Sequence, residues 1–203
     1  MNFIREDSPS LPILKELGGK IEESDVAPFL DLPNTWDDYL ANLDRHNRHE
    51  LKRKIKKNER EGAFKACIEG EPSDIDEFFR LMGESGEQKR NFLSKQMRMF
   101  FQDVFNTFFP KKILTLCFLK LEGKNIAAVM GFTFKGQFLL YNSGFDQDYR
   151  NLAPGFILKT YLIKYAIETK MKRYEFLRGG ERYKYDLGGK ERKLYNITLI
   201  NTD

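Results

Sequence analysis

A helix that opens on Ala153-Pro154-Gly155 has the residue types to hold an anion. A strand feeding a helix whose first turn carries Pro and Gly leaves backbone N–H groups free to point at a phosphate. The feeding strand is 139–143, followed by Gly144-Phe145-Asp146 and a short loop. A second strand is expected over 173–178. After it comes Gly179-Gly180-Glu181-Arg182-Tyr183-Lys184, a polar cluster led by glycine that would sit beside the anion site. This is the layout of a site for a phosphorylated acyl donor.

The remaining elements must position that segment. At 203 residues the chain is long enough to bury a sizeable core, and 18 Phe with 9 Tyr make that core aromatic-rich. Residues 1–25 are expected to be an irregular lead-in to a single domain over 26–203, with a strand and basic helix in 26–62 and the core in 63–203. Thr35 before Trp36-Asp37-Asp38 predicts a capped helix over 35–43. A second helix is expected over 47–61, stopping at Gly62. Residues 45–60 hold eight Lys/Arg against Glu50 and Glu59, a net +6, while the whole chain is +4, so the rest sums to about −2. A strand follows over 63–69, then a helix from 73–76 with Ile75, Phe78, Phe79 and Met82 on one face. A helix over 90–109 has Met97, Phe101, Val104, Phe105 and Phe108 at helical spacing. Strands over 113–121, 125–134 and 137–145 are separated by Glu122-Gly123-Lys124 and Lys135-Gly136, which predicts an antiparallel meander. A helix over 154–170, a helical turn over 181–187 and a last strand over 192–200 complete the order.

Cys67 and Cys117 are expected to be buried free thiols, which suits a reducing compartment. The N-terminal 20 residues have charges and prolines and no apolar core of a signal peptide, and no apolar run of about 18 residues occurs, so a cytoplasmic chain without a membrane span is expected. His46 and His49 lie in the basic segment with too few other ligands for a metal site, and none is expected.

The order of elements from residue 63, together with particular residues, resembles the GNAT fold, the Gcn5-related N-acyltransferases, and within it the FemAB-like and cellulose-biosynthesis CelD-like branch. The matching residues are Leu32-Pro33 with Trp36 and Tyr39, Arg45 and the basic helix to Gly62, Ile126-Ala127-Ala128, Tyr141 through Asp146, Ala153-Pro154-Gly155, Glu175-Phe176-Leu177 and Gly180 through Lys184. The resemblance implies an α+β fold with a mixed, mostly antiparallel sheet flanked by helices. It implies acyl-CoA as co-substrate, with no permanent cofactor, and an amine as acceptor. Members of the branch usually carry two such halves, and this chain resembles the second half plus its lead-in. A homodimer or a missing first half is therefore an expected partner.

In this family the donor enters where the central strand and the next one splay apart. By correspondence Ser143, Gly144, Phe145, Arg150, Ala153, Gly155 and Phe156 would bind it. The family loop is Arg/Gln-x-x-Gly-x-Gly/Ala. Here Ala153 stands at the middle glycine, and Pro154 removes one N–H donor. Amide formation needs a base, an oxyanion donor and an acid for the leaving group. Glu181 is the expected base and Tyr183 the acid, while Lys184 would bind an anionic group. Tyr141, Asp146 and Arg178 would touch the acceptor. The resemblance thus implies acyl transfer to an amine of a cell-envelope precursor, amino sugar or related small molecule. Some FemAB-like relatives take the group from aminoacyl-tRNA, which the basic helix 45–60 would suit as a surface for tRNA or another anionic polymer. A catalytically silent GNAT module that binds a partner is the remaining alternative.

Overall fold

The computed structural model describes residues 1–62, 65–67 and 74–199. The chain divides into two compact units, Met1–Leu30 with Glu175–Asp203, and Asp31–Tyr174.

The larger unit is built on a meander. Strands β5 (Leu114–Leu121), β6 (Lys124–Phe134) and β7 (Gln137–Phe145) pair antiparallel, and β4 (Lys65–Cys67) pairs antiparallel with β5. The sheet order is β3-β8-β7-β6-β5-β4, with β3 at Phe29–Asp31 and β8 at Arg173–Glu175, and the division between units falls within those last two strands. Both hairpin turns, Glu122-Gly123 and Lys135-Gly136, have positive φ at each central residue. That is the turn geometry whose twist matches the flanking strands, as expected from the glycines.

Helix α4 (Ile75–Glu84) buries Ile75, Phe78, Phe79, Leu81 and Met82. These join Phe101 and Phe105 against Leu116, Phe118, Ala128 and Met130 of the sheet. Each such buried side chain contributes about 1.5–3 kcal/mol. Helix α7 (Pro154–Glu168) buries Ile157, Leu158, Leu162, Ile163, Ala166 and Ile167.

The helix expected over 90–109 is two: α5 (Glu87–Phe92) and α6 (Lys95–Phe108). Ser94 takes ψ 165, and its hydroxyl accepts from Met97 N at 3.3 Å, so it ends one helix and caps the next. Helix α2 (Trp36–Asn42) starts at Thr35 as expected, with the Thr35 hydroxyl accepting from Asp38 N. The basic helix α3 (Arg45–Glu61) starts two residues before the expected position because Asp44 caps it, accepting from Asn47 N at 2.9 Å.

Gly144 sits under α4. A Cβ there would lie 2.3–2.4 Å from backbone atoms of Leu81 and Met82. Helix and strand approach too closely for any side chain, and neither backbone can give. Gly144→Ala is therefore expected to destabilise the chain by about 1–3 kcal/mol, read as a lower urea midpoint with unchanged slope.

The smaller unit corrects the expectation of an irregular lead-in. Strands β1 (Ile4–Arg5), β2 (Lys20–Val26) and β9 (Lys193–Thr198) form an antiparallel sheet in the order β1-β9-β2, with helix α1 (Ser10–Glu16) between the first two in sequence. Helix α8 (Arg182–Asp186) is short. The strand expected over 173–178 ends at Glu175. Leu177 takes φ +59, and Phe176 N and Gly179 N donate to the carbonyls of Pro28 and Val26.

Among the described residues no helix is long and apolar enough to cross a membrane. Cys117 is buried and in no disulfide, and burial raises its pKa. The Cys67 side chain, residues 63–64, 68–73 and the expected strand end at Ile200 lie outside the described residues.

Candidate active site

The expected site residues fall in both units, Tyr141 through Phe156 in the larger and Arg178 through Lys184 in the smaller.

In the larger unit, β7 outruns its neighbour. Lys172 N donates to Gly136 O at 2.7 Å, so β8 begins beside the start of β7. Yet β8 has three residues and β7 nine, which leaves the far half of β7 with an edge that β8 does not cover. On the other side, Met130 pairs with Asn142 and Gly131 with Leu140, so Tyr141 is the extra residue of a bulge. A bulge re-aims its side chain. The Tyr141 ring lies 5.7 Å from Phe101 and 5.4 Å from Phe132, centroid to centroid, and burial raises its phenol pKa.

Asp146 N donates to Ile126 O of β6, so by strand alternation Ser143 and Phe145 direct their backbone groups to the uncovered edge. Phe145 N there donates to Ser85 Oγ at 2.7 Å, and Ser143 O accepts from Lys89 Nζ. The backbone contacts expected for a donor at Ser143, Gly144 and Phe145 are thus engaged by Lys89, by α4 and by Ser85. Asp146 is engaged as well. Its carboxylate pairs with Lys124 Nζ at 2.8 Å and accepts from Asp148 N at 3.0 Å. Burial pushes its pKa up, but these two partners outweigh burial and hold it below the ordinary 3.8. Its contribution to stability is therefore present above that ordinary value and is lost as pH falls through the lower folded one.

A 3-10 turn over Gln147–Leu152 leads to Ala153 at φ 51, ψ 49. The residue standing where glycine was expected adopts glycine's left-handed conformation, at a cost of about 1–2 kcal/mol. Ala153 O accepts from both Phe156 N and Ile157 N, and Pro154 has no N–H. The Gly155 N–H is then the first-turn amide with no acceptor among the described residues. A Cβ on Gly155 would stand 3.3 Å from the Phe145 ring. Arg150 is exposed. Lys159, not expected as a site residue, is 6% exposed and donates to Gly155 O at 3.2 Å. A single Lys among Ile157, Leu158, Leu162 and Ile163, one helical turn after Gly155, was the available signal.

The basic helix seats on this loop. Lys57 Nζ donates to Asn151 O at 2.9 Å, Asn58 Nδ2 donates to Leu152 O at 3.0 Å and Lys54 O at 2.8 Å, and Lys54 Nζ stands 4.2 Å from the centre of the Phe156 ring. Two consecutive loop carbonyls just before the strained Ala153 are clamped from α3. Asn58 is fully buried, and its Oδ1 has no partner among the described groups. Asn58→Ala would leave Leu152 O unpaired, costing about 1–3 kcal/mol. It is expected to raise the donor KM with little change in kcat, which donor titration at saturating acceptor would show. Along α3, Arg45, His46, Arg48, His49 and Lys52 line a depression of about 650 Å³.

In the smaller unit, Lys184 is 2% exposed. Its Nζ donates to the carbonyls of Leu177, Arg178 and Gly179 at 2.8–3.1 Å and pairs with Glu181 Oε2 at 2.8 Å. Burial lowers its pKa, and Glu181 only partly offsets that. The anion-binding role expected of Lys184 does not fit this geometry, because four oxygens of its own loop surround the ammonium. Lys184 staples the 177–181 loop and holds the Glu181 carboxylate over Gly179. The Glu181 side chain remains 59% exposed. Tyr183 packs edge-on against Phe176 at 6.4 Å, and burial, with Glu181 second, raises its phenol pKa far above 10. It stays a proton carrier across the neutral range. Arg178 lies over the Phe3 ring at 4.3 Å, with its Nε 3.8 Å from Asp25.

The family model for the Acetyltransferase (GNAT) domain matches residues 45–185. No curated protein matches the chain. Among solved structures the chain is similar to FemX at TM-score 0.74 and 13% identity, over 97% of this chain and 70% of that one. It is similar to L-PGS from Bacillus licheniformis at 0.66 and 13%, over 98% and 67%. A GCN5-related N-acetyltransferase from Kribbella flavida matches at 0.51 and 11%, over 94% and 65%. At these identities the likeness concerns the fold.

Proposed function

The chain belongs to the GNAT acetyltransferase family and has its α+β fold, and on that premise we propose that it moves an acyl group from acyl-CoA to an amine of a cell-envelope precursor, amino sugar or related small molecule. The observation that carries this reading is the far half of β7, which three-residue β8 leaves without a paired strand, leading through the 3-10 turn to Ala153 and the Gly155 amide. The donor's phosphates would meet that amide, with Lys54, Lys57 and Lys159 supplying positive charge around it. Glu181 would take the proton from the attacking amine nitrogen as the N–C bond forms. Tyr183 would give its proton to the leaving thiolate as the C–S bond breaks. The FemAB-like and CelD-like placement belongs to the same proposal.

A second reading has its own support. The amide cradle is thin, Ser85 and Lys89 occupy part of the strand edge, and Arg45, Arg48 and Lys52 line one depression along α3. These features favour a donor borne on tRNA. Thermal shift separates the two readings, since a bound donor stabilises the folded state by mass action. Acetyl-, malonyl- or long-chain acyl-CoA should raise Tm on the first reading. If none does, while aminoacyl-tRNA binds with a log–log salt slope of about −0.7 to −0.9 per phosphate, the second reading replaces it.

A further inference from the structure

Helix α5 is held to the larger unit at its ends rather than along its length. It has six residues and buries none of them. Before it, Ser85 is fixed. The Ser85 Oγ accepts from Phe145 N at 2.7 Å and donates to Leu81 O at 2.9 Å, and its carbonyl accepts from Gln147 Nε2 at 2.7 Å. Helix α4, which Ser85 ends, has no room to shift toward the sheet, because its backbone lies directly on Gly144. After α5, Leu93 is 5% exposed in the core and Ser94 caps α6. Between these fixed points stands Gly86, at φ +147 with open space where a Cβ would be. A segment with few buried contacts, flanked by a glycine in a conformation other residues rarely adopt, opens at low cost. From the middle of this segment Lys89 reaches β7 and donates to Ser143 O. Phe145 N is taken by Ser85, and Ser143 N by Asn142 Oδ1 at 2.8 Å. Ser143 O is therefore an edge group of β7 that lifting α5 would free.

We propose that α5 is a strap, latched by Lys89 on Ser143 O, that closes the candidate donor edge of β7 and lifts when the donor binds. This rests on the acyl-CoA reading and adds regulation to the same site. The occupied edge is the closed state. Lifting pivots at Gly86 and leaves α4, α6 and their aromatic core in place, so the change is confined to the latch and the single short helix. The donor binds against this closing equilibrium, and its apparent affinity is reduced by the fraction of molecules that are open. Weakening the latch raises that fraction. Loss of the charge-assisted bond from Lys89 should raise it about tenfold.

The test uses the full chain, amide hydrogen exchange followed by NMR, and acetyl-CoA titration by calorimetry. The reporters are Arg90 N and Leu93 N, which donate to Gly86 O and Lys89 O at 3.0 and 3.1 Å. In wild type both should exchange faster than the amides of α4. Lys89→Met should speed both about tenfold, leave α4 unchanged, and tighten acetyl-CoA binding by the same factor. Arg90→Met, at an exposed position of the same helix, should match wild type in both readouts. Reporter exchange as slow as that of α4, or unchanged in Lys89→Met, overturns the proposal, since Lys89 then latches nothing. Weaker acetyl-CoA binding in Lys89→Met overturns it as well, because the ammonium is then a donor contact. Faster exchange with no acetyl-CoA binding to either protein keeps the strap and removes the acyl-CoA reading.

Discussion

Glu181→Gln is expected to lower kcat by about 10²- to 10⁴-fold, the usual contribution of a positioned general base, while the donor KM stays near wild type. The reason lies in how the carboxylate is held. Gly179 has φ +106, and a Cβ there would stand 2.7 Å from Glu181 Oε2. Gly179 therefore gives the carboxylate room to fold back over the loop. Lys184 grips one of its oxygens from beneath, and more than half of the side chain still faces outward. The carboxylate is offered as the base by its position and exposure. Glutamine keeps an oxygen for Lys184, whose ammonium also retains three carbonyls, so the loop should stay folded, at a thermal midpoint lowered by loss of the charge paired with a buried ammonium. The acid limb of the pH–rate profile should disappear with the carboxylate. Tyr183→Phe is expected to lower kcat as well, without altering that acid limb. Wild-type turnover in Glu181→Gln would remove the residue from the chemistry, and the acyl-transfer reading would then need another base.

The larger unit was legible because its signals are local. The three meander strands ended within a residue of their expected positions, since each glycine turn marks its own boundary. Helix α7 and the Phe face of α4 were legible for the same reason, through apolar spacing. What escaped depends on contacts distant in sequence. Strand β2 has an acidic sequence with no fully buried residue, Lys20-Ile21-Glu22-Glu23-Ser24-Asp25-Val26, and is a strand because β9 pairs with it some 170 residues later. Asn58 looked like one more polar residue on a charged helix, and only the fold brings Leu152 O to it. Lys184 looked like a site residue because it follows a glycine pair, yet burial turns its ammonium onto carbonyls of its own loop. Gly144 looked like a ligand contact, and the structure shows that its missing side chain makes room for α4. Residue type set which groups have the chemistry, while burial decided which of them remain exposed to use it.

The largest effect on stability is expected at a pair with no catalytic assignment. Glu175 and Arg192 are 2% and 3% exposed and meet fork to fork, with Arg192 Nη1 and Nη2 donating to Glu175 Oε1 and Oε2 at 3.1 and 2.5 Å. Both belong to the smaller unit, Glu175 at the end of β8 and Arg192 just before β9. Arg192 also lies 5.0 Å over the Phe29 ring and 3.5 Å from Asp7, and its carbonyl accepts from Ala27 N. Removing one member leaves a buried charge uncompensated, which costs about 3–5 kcal/mol. Arg192→Leu should show that full cost, a fall in thermal midpoint of roughly 6–20 °C for a chain of this size. Glu175→Gln should fall at the lower end, because Asp7 remains to offset part of the guanidinium charge. The double variant Glu175→Leu with Arg192→Met should recover most of the loss, since an apolar pair of similar volume needs no compensation. The double-mutant cycle would then give a large coupling between the two positions. If Arg192→Leu alone costs less than about 1 kcal/mol, the pair is solvated in solution and the account fails. The consequence reaches the site. Glu175 is where the chain leaves β8, six residues before Glu181, so fixing its carboxylate on Arg192 fixes the start of the loop that carries the base. Single variants that still fold should therefore lose kcat as well as stability, and the double variant should recover stability while kcat stays below wild type.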